Sequence, residues 1–407
     1  MNCRHCHAPL HHTFLDLGHA PPSNAYLTKQ DLSAPETYFP LQVMVCTNCW
    51  LVQTKDVVSA SELFKSDYAY FSSTSANWLA HAADYARMIT QRLRLQADSL
   101  VLEIACNDGY LLKNFIETGI PCLGIEPTAS TAEAAEKLGI PVIREFFGLQ
   151  LAQELASSGK QADLIVGNNV LAHVPDINDF AAGLKAALKP GGVISLEFPH
   201  LLRLIQGVQF DTVYHEHFSY LSLHAVKNIF EQYHLRIWNV EELPTHGGSL
   251  RVYVCHQEDP RQSWESVENV LNLELISGLC TLSAYQQFQP KVERLKISFL
   301  EFLLEQKKKG TVIIGYGAAA KGNTLLNYAG VKPDLLPSVC DAAPSKQGKF
   351  LPGSHIPIGE PSLIRQLKPD IILIFPWNIS SEIIRHYEYA REWGGKFIIA
   401  VPELRYI

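Results

Sequence analysis

The chain has 407 residues, 47% of them apolar and 18% charged, with a formal net charge of -7, a balance that lets it bury several cores and argues against a disordered polymer. The acidic balance also argues against nucleic acid as a main partner, because phosphate contacts need a concentrated basic surface. No apolar run reaches the roughly 18 residues of a membrane span and no cleavable leader opens the chain, so a cytoplasmic protein without membrane contact is expected.

Four of the nine cysteines fall in two close pairs, 3-CRHC-6 and 46-CTNC-49, within a first segment rich in Pro and His. Two thiolates two residues apart can face one tetrahedral ion from a tight turn, and Cys3, Cys6, Cys46 and Cys49 together saturate a zinc shell. A saturated shell predicts one structural zinc in a module at residues 1–60, with His5, His7, His11 and His12 as alternative ligands nearby. So short a segment could not hold itself together by burial alone, which makes the metal part of its folding free energy. Residues 61–95 follow as a connector that is helical from Trp78 onward.

From residue 99 short apolar strands alternate with helices: strands at 100–105, 122–126, 163–169 and 192–198, helices at 109–118, 130–138 and 176–189, and a turn at 189-KPGG-192. This pattern predicts an α/β fold with a Rossmann-like parallel sheet over about 96–255. The first loop, 103-EIACNDG-109, carries the acid Glu103 and the single glycine Gly109. It lacks the three glycines that admit a pyrophosphate, which argues against a dinucleotide. Glu126 ends the next strand, where a carboxylate can accept hydrogen bonds from ribose hydroxyls. Asn107 and Asp108 are either ligand contacts or loop caps.

In 246-HGGSLRVY-253 two glycines allow close backbone approach beside His246, and Arg251 alternates with apolar residues as it would on a solvated face. A helical connector is expected at 256–309, and 310–407 repeats the strand and helix alternation as a second doubly wound unit. There 315-GYGAAAK-321 could hold an anion at a helix N-terminus; Asp341, at a second strand end, leaves a nucleotide cofactor open as an alternative.

The 103–109 loop resembles the first motif of S-adenosylmethionine-dependent methyltransferases, and the whole chain resembles the sugar-nucleotide C-methyltransferases of antibiotic and surface-glycan pathways. The residues that carry the likeness run from end to end: both cysteine pairs, 66-SDYAYFSSTS-75, the 103–109 loop, 214-YHEHFSYLS-222, 244-PTHGGSLRVY-253, 316-YGAAAKGNTLLNY-328 and 373-LIFPWN-378. The resemblance implies S-adenosylmethionine held by Glu103, Asn107, Gly109, Glu126 and Asn168. It implies a nucleotide-linked keto-deoxysugar bound by Tyr68, His173, Tyr214, His246, Lys321 and Asn323, in a monomer or homodimer. Trp377 and Asn378 read more simply as packing and loop-fixing residues.

The same resemblance gives the YHEH cluster a role. A carbon beside a ketone must lose a proton before it can attack a methyl group, and histidine is the side chain whose ordinary pKa suits that task. His217 is implied as the base, with Glu216 holding the imidazolium or a sugar hydroxyl. Tyr214 and His173 are implied as donors to the enolate oxygen, and Tyr68 as closing the pocket. His215, on an extended chain, would face away. Methylation at oxygen or nitrogen, and a zinc-ribbon interaction protein, are the alternatives.

Overall fold

The structure, a computed structural model, describes residues 1–55 and 71–407. Tyr68 lies outside the described residues. Three sheets organise the rest, and each draws its core from a different stretch of apolar alternation.

The N-terminal sheet is antiparallel, built from His12–Ala20, Phe39–Val45 and Val52–Thr54, and its fourth strand, Ser219–Tyr220, comes from far downstream. Its buried face, Phe14, Leu15, Leu41, Val43 and Val52, packs in one cluster with Leu201, Phe210, Val213, Tyr285 and Phe288. The module therefore completes its core with side chains of the rest of the chain. Residues 21–38 then run as an arm to the C-terminal unit. Leu27 bridges to Phe350, the Tyr26 hydroxyl donates to the Ala318 carbonyl (2.6 Å), and Glu36 accepts from the Gly353 amide (2.8 Å) and meets His355 (2.9 Å).

The central sheet has seven strands in the spatial order Leu235–Leu243, Ser249–His256, Leu188–Pro199, Ala162–Asn168, Val101–Ile104, Cys122–Ile125 and Val142–Ile143. The last five are parallel, and Ser249–His256 runs antiparallel to both of its neighbours. Strand order reverses between Val101–Ile104 and Ala162–Asn168, and in open α/β sheets ligands bind outside the carboxyl ends of the strands at such a point. Glu103, Glu126 and Asn168 all fall at those ends.

Several local expectations change. The helix expected at 109–118 is confined to Lys113–Ile116, because Ala105, Asn107 and Gly109 all take positive φ and the chain is still in its loop. The KPGG segment lies within the strand rather than before it: pairing jumps from Ala162↔Leu188 to Leu164↔Val193, so these residues bulge out of the ladder. Arg251 is buried, not solvated, since its guanidinium is covered by the helix Ala76–Leu93, lying 4.5 Å over the Tyr85 ring, and pairs with Glu197.

The C-terminal sheet follows the order Ile358–Gly359, Val339–Cys340, Ile313–Tyr316, Ile371–Ile374, Lys396–Ile399 and Arg405–Tyr406, parallel except for the last. Its reversal lies between Ile313–Tyr316 and Ile371–Ile374, which puts Lys321 and Trp377 at the corresponding mouth. The helices Glu265–Ile276 and Phe288–Lys309 join the two units, the second closed by Gly310 at φ 70 as a left-handed cap. Among the described residues no helix is long and apolar enough to cross a membrane.

Candidate metal centre and candidate active site

The two cysteine pairs fold into matching turns. In each, the residue after the second cysteine, His7 or Trp50, is left-handed, and its amide donates to the first cysteine's carbonyl (3.0 and 2.9 Å). The four sulfurs lie within 4.8 Å of one another, with Cys3 Sγ 3.5 Å from Cys49 Sγ and Cys6 Sγ 3.5 Å from Cys46 Sγ. Four convergent thiols fit a closed zinc shell. Gln53 supports it, donating from Nε2 to Cys3 Sγ (3.2 Å), as second-layer donors do around metal thiolates. His5 stands apart, its Nδ1 paired with Asn178 Oδ1 (2.9 Å).

Arg4, inside the first turn, connects this centre to the YHEH segment. Its guanidinium donates to the carbonyls of Phe218 (2.6 Å) and Thr54 (3.0 Å), and its own amide donates to Gln53 Oε1 (2.9 Å). Thr54 Oγ1 donates to the His217 carbonyl (3.3 Å).

At the mouth of the central sheet, Glu126 accepts from the amides of Asn107 (3.0 Å) and Thr128 (2.9 Å). Ser72 and Ser73 donate their amides to the side chains of Asn107 (2.9 Å) and Asp108 (3.0 Å), so the 71–75 segment clasps the loop from above. Asn168 donates to the Tyr110 hydroxyl (3.3 Å). Gly109 has φ +78, and a Cβ there would lie 2.4 Å from Ile140 Cδ1 and 3.2 Å from Ala135 of the helix Ala129–Lys137, so close packing favours the glycine as well.

Glu103 is buried with both oxygens lacking a hydrogen-bond partner among the described residues. Burial, with Asp108 and Glu126 adding repulsion, raises its pKa well above the ordinary carboxylate value. Three clustered carboxylates with unmet acceptor capacity suit a ligand with positive charge and hydroxyl donors. The ammonium, sulfonium and ribose of S-adenosylmethionine have that character.

Tyr214 to His217 form a hydrogen-bonded turn, His217 N to Tyr214 O at 3.0 Å, not an extended chain. His215 does face away, but for another reason: the turn sends it to Phe39 of the N-terminal sheet (ring centroids 6.0 Å). His217 stacks on Tyr214 (4.0 Å) and meets His173 edge to face (4.6 Å). Its Nδ1 is 2.9 Å from the Thr212 carbonyl. A carbonyl only accepts, so Nδ1 carries the proton and Nε2 keeps its lone pair. Burial, then His173, lowers the His217 pKa well below the usual histidine value, and burial brings His173 and His246 down to about 4. All three rings are thus neutral at pH 7. Glu216 is buried, and both of its carboxylate oxygens accept from Asn24 Nδ2, at 2.7 and 2.9 Å.

Lys321 comes to the same place from the C-terminal unit. Its Nζ donates to Asn378 Oδ1 (2.7 Å) and lies over the Trp377 ring (4.3 Å), and burial lowers its pKa to about 8. Trp377 and Asn378 therefore frame the lysine rather than serving only as packing. Asn323 has no exposed surface, and its amide donates to the Ser23 carbonyl (2.6 Å). His246, left-handed at φ 53, accepts on Nε2 from Asn169 (3.0 Å).

Sequence reasoning missed a layer beneath these groups. Glu197, fully buried, accepts from His81 (2.9 Å), Arg251 (2.8 Å) and Thr245 (2.8 Å), which anchors the His246 loop. Although burial opposes it, these donors, His81 first, hold the Glu197 pKa down to about 2. Asn24 and Asp211 were missed too. No motif marks them, since their roles arise only when distant segments meet.

Comparison with known proteins gives matches along the whole chain. Family models match at residues 3–64 (a zinc binding domain), 70–240 (a methyltransferase domain) and 244–402 (a C-methyltransferase C-terminal domain). The chain is 33% identical over 408 aligned residues to the C-methyltransferase NovU of Streptomyces niveus, covering 100% of this chain and 96% of that one. A ubiquinone biosynthesis O-methyltransferase of Methylobacterium sp. (strain 4-46) matches at 28% over 97 residues, 23% of this chain and 38% of its own. A solved magnesium protoporphyrin IX methyltransferase from Synechocystis PCC 6803 aligns at 14% identity and a TM-score of 0.34, over 43% of this chain and 82% of that one. The full-length match sets aside methylation at oxygen or nitrogen and a purely scaffolding role. The chain belongs to the family of S-adenosylmethionine-dependent C-methyltransferases that includes NovU.

Proposed function

We propose that the substrate is a nucleotide-linked keto-deoxysugar, that His217 removes the proton from the carbon beside the ketone, and that this carbon is then methylated. The observation that carries the reading is the 2.9 Å contact between His217 Nδ1 and the Thr212 carbonyl. It fixes the tautomer whose Nε2 can accept a proton, in a ring that burial keeps neutral.

As the proton leaves, negative charge moves to the ketone oxygen, and donors aimed at that charge lower the barrier most. Lys321, His173 and Tyr214 stand around His217 and fill this role. Lys321 also suits the diphosphate, whose charge in turn supports an imidazolium on His217 after proton transfer. Bound against Glu103, Asn107, Gly109, Glu126 and Asn168, S-adenosylmethionine supplies an electrophilic sulfonium methyl. Glu216, held by Asn24, keeps the turn in place and offers an acceptor for a sugar hydroxyl.

The test is incubation with nucleotide-linked keto-sugars in heavy water. Enzyme-dependent deuterium uptake at the carbon beside the ketone, and a mass gain of one methyl when the donor is present, are expected. No such uptake with S-adenosylhomocysteine in place of the donor, from a preparation that methylates the same sugar once S-adenosylmethionine is added, would contradict the proton-abstraction step.

Two further results follow from the geometry. Glu126→Ala removes a charged acceptor for the ribose, so the affinity for S-adenosylhomocysteine in calorimetry should fall by about 10- to 100-fold. Lys321 is cationic below its pKa of about 8 and neutral above it. The KM for the sugar nucleotide should therefore rise as pH passes about 8, and Lys321→Met should show the high KM at every pH.

A further inference from the structure

The turn that receives the His217 N–H is itself held by the C-terminal unit. Phe210–Thr212 is a single 3-10 turn. Trp377 Nε1 donates to Asp211 Oδ2 (2.7 Å), and Thr324 Oγ1 donates to the Val213 carbonyl (2.8 Å). Gln209 Nε2 donates to the Gly247 carbonyl (2.8 Å), which joins the same turn to the His246 loop. Within the turn, Thr212 Oγ1 donates to the Gln209 carbonyl (2.7 Å). Asp211 is buried, and its other oxygen has no hydrogen-bond partner among the described residues.

We infer that Asp211 is a positioning residue: it joins the C-terminal unit to the catalytic histidine, so that seating Trp377 and Lys321 sets the place of the Thr212 carbonyl and with it the tautomer and orientation of His217. The two links are one residue apart on a turn too short to flex between them. A shift of Trp377 reaches the Thr212 carbonyl through the backbone of residues 211 and 212. Asp211 also favours the ammonium form of Lys321 by its charge, so one carboxylate acts on both sides of the cleft. The inference rests on His217 being the base for its catalytic meaning, but the coupling itself is a property of the free protein.

The groups facing His217 are Tyr214 and Tyr220 on its own segment, His173 and His246 from the central unit, and Lys321 from the C-terminal one. Deuterium exchange at histidine C2–H, read by mass spectrometry across pH on the full zinc-loaded chain, reports the protonation midpoint and water access of His217 without substrate. Trp377→Phe removes the N–H donor and keeps an aromatic ring beneath Lys321. In that variant the His217 midpoint should move still further below the ordinary histidine range, because the Thr212 carbonyl, accepting from Nδ1–H, favours the imidazolium against burial and the ring loses that fixed acceptor. Asp211→Asn, whose amide oxygen still accepts from Trp377, should stay near the wild-type midpoint, and His200 and His256 should be unchanged in both.

A folded Trp377→Phe protein with an unaltered His217 midpoint would overturn the coupling. Should that variant not fold, Thr324→Val, which removes the other C-terminal contact to the turn, should move the midpoint the same way, and an unaltered value there overturns it equally. Loss or retention of substrate deuteration in a His217 variant tests the base assignment separately and leaves this result standing.

Discussion

His217→Ala is expected to lower kcat for methyl transfer by about a hundred- to ten-thousand-fold, the usual contribution of a positioned general base, with little change in affinity for S-adenosylhomocysteine. The two effects separate because His217 belongs to the 214–217 turn, whereas the cofactor loop is organised by Glu126, Ser72 and Ser73. The pH dependence has a definite sign. A base must be neutral to act, and burial holds His217 well below the ordinary histidine pKa. The acidic limb of kcat/KM should therefore fall below the usual histidine range, and activity should persist as pH drops through about 6.5. Steady-state kinetics across pH, with calorimetry on the variant, measure both. Near-normal kcat in the variant would remove His217 from the role.

Stripping the metal should have the widest effect of any single treatment. A structural zinc contributes on the order of 10 kcal/mol to small modules of this kind, and the four thiols here converge on one point. On chelation, residues 1–55 should become open to protease, while the central unit still binds S-adenosylhomocysteine. Methyl transfer should nevertheless fall by about a hundredfold or more, because Arg4, Thr54 and Asn24 no longer hold the carbonyls of residues 217 and 218 and the Glu216 carboxylate. Limited proteolysis, metal content and single-turnover kinetics on one preparation read these outcomes together. A metal-free protein with a protease-resistant N-terminus and full activity would show that the module needs no metal and that the cleft does not depend on it.

The parts of the molecule legible in the sequence are those whose physics is local. The C-x2-C turns, the apolar strands at 101–104, 122–125 and 162–168, and the acids at the strand ends each follow from residues a few positions apart. Leu235–Leu243 was harder to see, since Trp238, Asn239 and the glutamates break its alternation, and pairing with Ser249–His256 is what makes it a strand. Arg251 was misread for a similar reason: on one strand it looks solvated, and only the Tyr85 ring from a distant helix and the Glu197 carboxylate explain its burial. The family likeness pointed to His217, but nothing in 210-FDTVYHEH-217 shows that Thr212 would receive its proton or that Trp377 would steady that turn. Such contacts span 5 residues in one case and 166 in the other, and the longer kind leaves no periodic trace.

The arm at residues 21–38 has a consequence for how the protein comes to be made. Its partners, Ala318, Asn323, Gly353 and His355, lie roughly 290 to 320 positions downstream. The arm is therefore synthesised long before the residues it binds, and its polar groups wait for their final partners. Contacts of such separation slow assembly and lengthen exposure to wrong partners. A nascent chain halted before residue 310 should for that reason lean on chaperones far more than the finished one.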